Sequence, residues 1–123
     1  MRVAILADAH GNLLALEAVL ADLRARVAPD LVVNLGDLFT GPFDPSGSAD
    51  VQIGLGCPTL AGNHERNLLE GDDTSPSVAF ARPCLSAAHL DWIKAVQRRS
   101  GWLRASIRMV TVGADRRRGA ALP

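Results

Sequence analysis

The chain has 123 residues, of which 48% are hydrophobic, and its 13 Lys and Arg balance its 13 Asp and Glu. This length predicts one domain, and the apolar content is typical of a soluble globular protein. No apolar run is long enough to span a membrane, and no basic region precedes a hydrophobic signal core. We therefore expect a cytoplasmic protein.

The zero net charge conceals two oppositely charged parts. Residues 1–93 carry five basic and twelve acidic residues, whereas residues 94–123 carry eight basic residues and one acid, Asp115. So sharp a change predicts a boundary, with one domain over 1–93 and a basic, divergent tail over 94–123. We favour a tail that is foreign to the ancestral fold, through truncation or a frame shift. The alternative is a basic arm for an anionic partner.

The first elements follow from hydrophobic patterning. Val3–Ala7 is predicted to be a buried strand, and Asn12 is a suitable N-cap for the helix that follows. Leucine and valine recur at three- and four-residue spacing, which predicts an amphipathic helix ending before Pro29. Leu31–Leu35 is predicted to be a second buried strand.

The middle of the chain has weaker signals. Residues 36–47 are rich in Gly, Pro, Asp and Ser and predict a loop, with a short helix over Ala49–Leu55. Pro58–Ala61 is predicted to be a third strand, followed by a turn over residues 62–65. Residues 68–83 look irregular and exposed because they contain a glycine, adjacent acids and two prolines.

Ser86 is predicted to cap a helix that runs to about Arg99 and presents one mostly apolar face, formed by Leu85, His89, Trp92, Ile93 and Val96. Ile107–Val112 is predicted to be a further strand. Strands that alternate with helices predict an α/β fold, with a mostly parallel β-sheet flanked by helices.

Polar residues follow each of the three predicted strands. These are Asp8 and His10, then Gly36-Asp37, then residues 62–65. Residues i and i+2 of an extended segment point to the same side, so we expect Asp8 and His10 to point together. The carboxyl ends of parallel strands lie at one edge, where carboxylate, imidazole and amide groups suit Mn, Fe, Co, Ni or Zn.

Three motifs stand in order along the chain: Asp8-Ala9-His10, Gly36-Asp37 and Gly62-Asn63-His64-Glu65. In the order and composition of these three motifs, the chain resembles the calcineurin-like metallophosphoesterases. Gly11-Asn12 after the first motif and Gly41-Pro42 after the second resemble the small bacterial phosphodiesterase branch. The resemblance covers residues 1–93 and implies a partial metallophosphoesterase layer that lacks the C-terminal half of the family fold.

The resemblance also implies a role for each motif residue. Asp8 and His10 would bind a first metal, Asp37 would bridge two metals, and Asn63 would bind the second. His64 would protonate the leaving group or stabilise the charged phosphoryl oxygens. The implied cofactors are divalent metal ions, with Mn²⁺ expected first and Fe, Ni, Co or Zn as alternatives, and the implied substrate is a phosphate ester.

The chain also departs from the family pattern. It has only three histidines, and the family's later His and Gly-His-x-His motifs are absent. His89 lies among apolar helix residues and is predicted to be a packed or surface residue of the helix rather than a ligand. Two hypotheses therefore stand. One is a truncated, weakly active phosphoesterase that uses a metal-activated water. The other is a non-catalytic remnant that binds at most one divalent metal, or an interaction module using the basic tail.

Lesser expectations concern single residues and partners. Asp44 is predicted to be a turn residue, Glu65 to serve the helix start or to support the ligands, and Cys57 and Cys84 to be reduced thiols. The missing second layer would leave an apolar face exposed, so we expect self-association. We expect no membrane and no nucleic-acid partner, since no basic groove is interleaved with the tryptophans.

Overall fold

The computed structural model describes residues 1–100, in which two parallel strands form the sheet. Strand β1 spans Val3–Leu6 and β2 spans Leu31–Asn34, with Val3 opposite Leu31 and Leu6 opposite Asn34. Parallel strands need a crossover connection, and here helix α1, Leu13–Asp22, supplies it. The α/β fold with a parallel sheet flanked by helices is confirmed.

Helix α1 begins as its sequence predicts. The Asn12 side chain accepts a hydrogen bond from the Ala15 N–H at 3.2 Å, which satisfies one of the unpaired donors of the first turn. Leu16 and Leu20 are buried. The helix continues as a π-helical turn, Leu23–Val27, and Ala28 ends it in the left-handed conformation, before Pro29.

The predicted third strand is reduced to one bridge. Asn34 pairs with Thr59, through a bond from Asn34 N–H to the Pro58 carbonyl at 2.9 Å and one from Leu60 N–H to the Asn34 carbonyl at 2.8 Å. The prediction of a regular strand over Pro58–Ala61 is wrong. Proline has no N–H to donate to a ladder, and the next helix begins directly after Gly62.

One helix begins earlier than predicted, and a segment predicted to be a turn begins another helix. Helix α2 spans Pro45–Gly54, because the Asp44 carboxylate accepts the Gly47 N–H at 2.8 Å and Pro45 takes the first helical position. Asp44 is therefore a helix cap rather than a turn residue. Helix α3 spans Asn63–Glu70, so the motif predicted to form a turn opens a helix instead.

Residues 68–83 are more ordered and more buried than predicted. They contain helix α4, Pro76–Ala81, and the first two residues of a 3-10 turn, Arg82–Cys84. Leu68, Val78 and Ala81 are fully buried in the hydrophobic core. A helix of six residues is too short to show a clear period, and its proline stands at the first turn, where proline is compatible with a helix.

Helix α5 covers residues 87–100, so the boundary predicted at residue 94 falls within a helix. The Ser86 Oγ accepts the His89 N–H at 3.2 Å, which confirms the predicted cap. The predicted face is also confirmed: Leu85, His89, Ile93 and Val96 are buried, and the Trp92 ring packs on Phe39 with ring centroids 6.0 Å apart. The predicted strand Ile107–Val112 lies outside the described residues.

Three apolar residues on one face of the sheet are exposed within residues 1–100, and this face is called the uncovered face although Val33 on it is half-buried. Val3, Ile5 and Leu31 share this face and are 44%, 64% and 38% exposed, whereas Ala4, on the opposite face, is buried.

Within residues 1–100, no helix is long and apolar enough to cross a bilayer.

Candidate metal centre

The first two motif loops are joined by backbone hydrogen bonds beyond the ends of their strands. The Asp8 N–H donates to the Gly36 carbonyl at 3.1 Å, and the His10 N–H donates to the Asp37 carbonyl at 3.0 Å. These bonds extend the β1–β2 pairing into the loops and set the two motifs side by side at the carboxyl edge of the sheet. The predicted meeting of the strand ends is thereby confirmed for the first two motifs.

The backbone at these positions is left-handed rather than extended. Asp8, His10 and Asp37 have φ values of 55°, 46° and 55°. Such values are uncommon outside glycine, and Asp and His tolerate them better than most residues. Asp8 and His10 do lie together, with His10 Nε2 3.7 Å from Asp8 Oδ1. The expectation of proximity was right, but the extended geometry assumed for it was wrong.

Glu65 joins the second motif to the third. It is fully buried, and its carboxylate accepts three backbone N–H groups: Asp37 at 2.9 Å, Leu38 at 2.7 Å and Gly62 at 2.7 Å. Burial raises the pKa of this carboxyl, and the three backbone donors oppose that shift. The structure thus confirms that Glu65 serves the start of α3 and supports the neighbouring motif.

The Asp37 carboxylate lies against the first turn of α3. The His64 N–H donates to Asp37 Oδ1 at 3.3 Å, so the positive end of the helix dipole faces this carboxylate. A Cβ atom at Gly62 would overlap the same carboxyl group. Glycine is therefore required here for close approach of the backbone to Asp37.

Thr40 contacts both histidines of the site, and the sequence analysis did not single it out. Its carbonyl oxygen lies 3.0 Å from His10 Nδ1, and its Oγ1 lies 2.6 Å from His64 Nδ1. The two rings meet edge to face, with centroids 4.7 Å apart. In the sequence, the position of Thr40 between Gly36-Asp37 and Gly41-Pro42 was the signal that could have found it.

His10, Asp37 and His64 converge on one point. Each offers a ligand atom, and these atoms all lie within 4.8 Å of one another. Two imidazoles and a carboxylate suit a divalent transition metal, and a ring nitrogen bonded to a backbone carbonyl is the usual support of a metal-binding histidine. The donor set therefore fits a divalent cation. Asp8 lies beside His10 with its side chain exposed, and Asn63, also exposed, opens α3 next to His64.

His89 is held elsewhere in the fold. Its Nε2 lies 2.8 Å from Asp50 Oδ1 on α2, and its Nδ1 accepts the Ser86 N–H at 3.2 Å. Both ring nitrogens are therefore engaged in a residue that is only 8% exposed. His89 packs α5 against α2, so of the two roles expected for it, packed or surface residue of the helix, the structure shows the packed one. Cys57 and Cys84 are free thiols, as expected.

Comparison with known proteins agrees with these features. Residues 1–109 match the family model of calcineurin-like phosphoesterases. A metallophosphoesterase from Sphaerobacter thermophilus is 27% identical, with a TM-score of 0.63 over 78% of this chain. A candidate diadenosine tetraphosphatase is 29% identical, with a TM-score of 0.61 over 76% of this chain.

This chain spans about 41% of the length of each of those two structures. Among curated proteins, none matches it. The family match covers most of the sequence, and the matched part includes all three motifs that meet at the edge of the sheet. The chain therefore belongs to the calcineurin-like phosphoesterase family and corresponds to an N-terminal part of the family fold.

Proposed function

We propose that this chain binds one divalent cation and hydrolyses phosphate esters weakly. The observation that carries the proposal is the convergence of His10, Asp37 and His64, whose ligand atoms lie within 4.8 Å of one another at the carboxyl edge of the sheet. Ligands bind at this edge in open α/β sheets. Membership of the family supports metal-dependent phosphoester hydrolysis as the reaction class.

Of the three converging residues, His10 and Asp37 are proposed to hold the cation, and His64 is proposed to face the substrate beside them. Asp8, whose Oδ1 lies 3.7 Å from His10 Nε2, is the third proposed ligand. Two carboxylates and an imidazole form a viable set for Mn²⁺, the expected ion, and for the alternatives Fe, Ni, Co and Zn. A bound cation would offset charge on the phosphoryl group and make a water a better nucleophile. For a second cation, Asp37 and Asn63 are the ligands that we propose, and two ligands are too few to hold it tightly.

His64 is proposed to act on the substrate directly. Its Nδ1 is bonded to Thr40, so Nε2 is the nitrogen left to donate a proton to the leaving oxygen or a hydrogen bond to a phosphoryl oxygen. The first turn of α3 holds His64 beside the Asp37 carboxylate, since the backbone N–H of one bonds the side chain of the other. A general acid so placed contributes on the order of 10²–10⁴ to the rate.

The second candidate function is a non-catalytic remnant that binds at most one divalent metal, or an interaction module that uses the basic tail. The sequence supports it, because the chain has only three histidines and His89 is engaged with Asp50 and Ser86. Within residues 1–100, these contacts leave His10 and His64 as the imidazoles available to a cation.

The wider assignments follow from the same proposal. We propose residues 1–93 as the phosphoesterase domain and 94–123 as a divergent basic tail, and a phosphodiester or phosphomonoester as substrate in the cytoplasm. One of the two similar structures is described as a candidate diadenosine tetraphosphatase, and this similarity supports a phosphate ester as the substrate class. We propose that the chain has no nucleic-acid partner. We also propose that it self-associates through the uncovered face of the sheet.

Calorimetric titration with Mn²⁺, with a parallel assay on an aryl phosphate diester, tests the proposal. We expect weak binding of about one ion per chain through three protein ligands, lost in Asp37→Ala. Turnover should be very low and should be lost in His64→Ala. Asp91→Ala is the matched control, because this exposed carboxylate on α5 pairs, within residues 1–100, with Lys94 on the same helix.

Two results would contradict the proposal. Absence of Mn²⁺ binding in the unaltered chain would remove the proposed centre. Two tightly bound ions, with substantial turnover lost in His64→Ala, would show that further ligands come from elsewhere, such as a partner chain. That second result would also exclude the remnant.

A further inference from the structure

Thr40 holds both histidines of the site through different atoms. Its carbonyl oxygen is 3.0 Å from His10 Nδ1, its hydroxyl oxygen is 2.6 Å from His64 Nδ1, and the residue is 1% exposed. Water therefore does not compete for either bond. We propose that Thr40 is the positioning residue of this centre, which orients both imidazoles through Nδ1 and leaves Nε2 of each ring for a ligand or substrate.

The bond to His10 selects one tautomer. A carbonyl oxygen can only accept, so the Nδ1 of His10 must carry the proton that it donates to Thr40. Neutral His10 then has its lone pair on Nε2, the nitrogen that lies 3.7 Å from Asp8 Oδ1. This is the state that a metal ligand needs, and the second ring nitrogen is anchored as metal-binding histidines usually are.

The bond to His64 is of a different kind. A hydroxyl can donate or accept, so Thr40 Oγ1 can hold His64 Nδ1 in either tautomer by rotating its own proton. The Nε2 of His64 can therefore present a proton or a lone pair without movement of the ring. Thr40 thus restricts His10 to the tautomer with its proton on Nδ1, which a metal ligand needs. It leaves His64 able to transfer a proton. The role of His64 in proton transfer rests on the proposed function. The contacts of Thr40 with the two histidine rings are independent of it.

The experiment compares Thr40→Val and Thr40→Ser in the full chain. Valine keeps the branched shape and the carbonyl and removes the hydroxyl, whereas serine keeps the hydroxyl. Long-range ¹H–¹⁵N spectra of the metal-free protein report the ring nitrogens, and the chain has only three histidines to resolve. His64→Gln assigns the His64 signals. His89, held by Asp50 and Ser86, is the internal reference.

We expect Thr40→Val to shift the ¹⁵N resonances of His64 while those of His10 and His89 stay in place, and Thr40→Ser to restore the original spectrum. Unchanged His64 signals in Thr40→Val would overturn the proposal, because the hydroxyl would then not set the ring. Equal changes at all three histidines would also overturn it, since they would indicate a general structural effect.

Activity provides the second readout. In the Mn²⁺-loaded protein, Thr40→Val should lower turnover by about tenfold. This is the lower end of the losses in activity that follow removal of a residue supporting a metal site. The affinity for Mn²⁺ should be unchanged, because His10 keeps its carbonyl partner. A lowered Mn²⁺ affinity with unchanged turnover would contradict the positioning of His64. Absence of turnover in the unaltered chain would count against the proposed function alone, because the ring spectra require neither metal nor substrate.

Discussion

The Glu65 carboxylate accepts the backbone N–H of Asp37 at 2.9 Å, so a residue of the third motif holds the backbone of the second. The same carboxylate accepts the N–H groups of Leu38 and Gly62. These bonds set the distance between the loop that carries Asp37 and the helix that carries His64. The separation of the candidate ligands thus depends on a buried side chain that is not itself among them.

The first prediction concerns Glu65→Gln. The glutamine side chain has the same shape but keeps only one acceptor oxygen. Its NH₂ group would therefore face at least one of the three backbone N–H groups, which would lose its acceptor. Leaving a buried donor unpaired costs about 1–3 kcal/mol, so we expect the free energy of unfolding to fall by about 2 kcal/mol. Urea denaturation of the metal-free protein measures this loss.

Glu70→Gln is the matched control for that change. Glu70 lies on the same helix with an exposed side chain, 3.9 Å from Arg66, and its substitution should cost less than about 0.5 kcal/mol. Equal stability of the Glu65→Gln and Glu70→Gln variants would contradict the proposed role of Glu65.

The second prediction concerns Gly62→Ala. The added methyl group would overlap the Asp37 carboxyl group. We expect a loss of about 1–3 kcal/mol in unfolding free energy, typical of overpacking, together with a weaker affinity for Mn²⁺. Gly54→Ala is the control, because a Cβ there meets nothing within 4 Å. Calorimetric titration and urea denaturation of both variants check this, and an unaltered Mn²⁺ affinity in Gly62→Ala would contradict it.

The third prediction separates His89 from the other two histidines. His89→Gln loses the bonds to Asp50 and Ser86 and should destabilise the fold by about 1 kcal/mol, while the Mn²⁺ stoichiometry stays unchanged. His10→Gln should abolish Mn²⁺ binding. Urea denaturation and calorimetric titration of the two variants test the contrast. Loss of Mn²⁺ binding in His89→Gln would show that the packing role is wrong.

Much of this site could be predicted because its signals are local. Polar residues directly after apolar runs indicated the edge of the sheet, and the three motifs stand in family order. The period of the sequence that forms α5 placed His89 on a mostly apolar face, and the structure shows this face to be buried. Glu65 was expected to serve a helix start or to support the ligands, and its three backbone hydrogen bonds agree with both roles.

The remaining features depend on contacts that are distant in sequence. Asp8 and His10 are left-handed because their loop bonds to residues 36 and 37, and no local pattern reports such pairing. Thr40 is a positioning candidate only because α3 brings His64 to it across 24 residues. Pro58–Ala61 has the apolar residues of a strand, but a proline and an early helix start limit it to one bridge.

The last prediction concerns the uncovered face of the sheet, formed by Val3, Ile5 and Leu31. Exposed apolar surface of this kind promotes association, so we expect the scattering mass to rise with concentration and a hydrophobic dye to bind. Ile5→Lys should reduce both effects, since the charge would stand on a side chain that is 64% exposed. Phe80→Ser, which alters an exposed aromatic ring on α4, should leave both unchanged. A protein that stays monomeric at high concentration and binds no dye would show that this face is covered in solution.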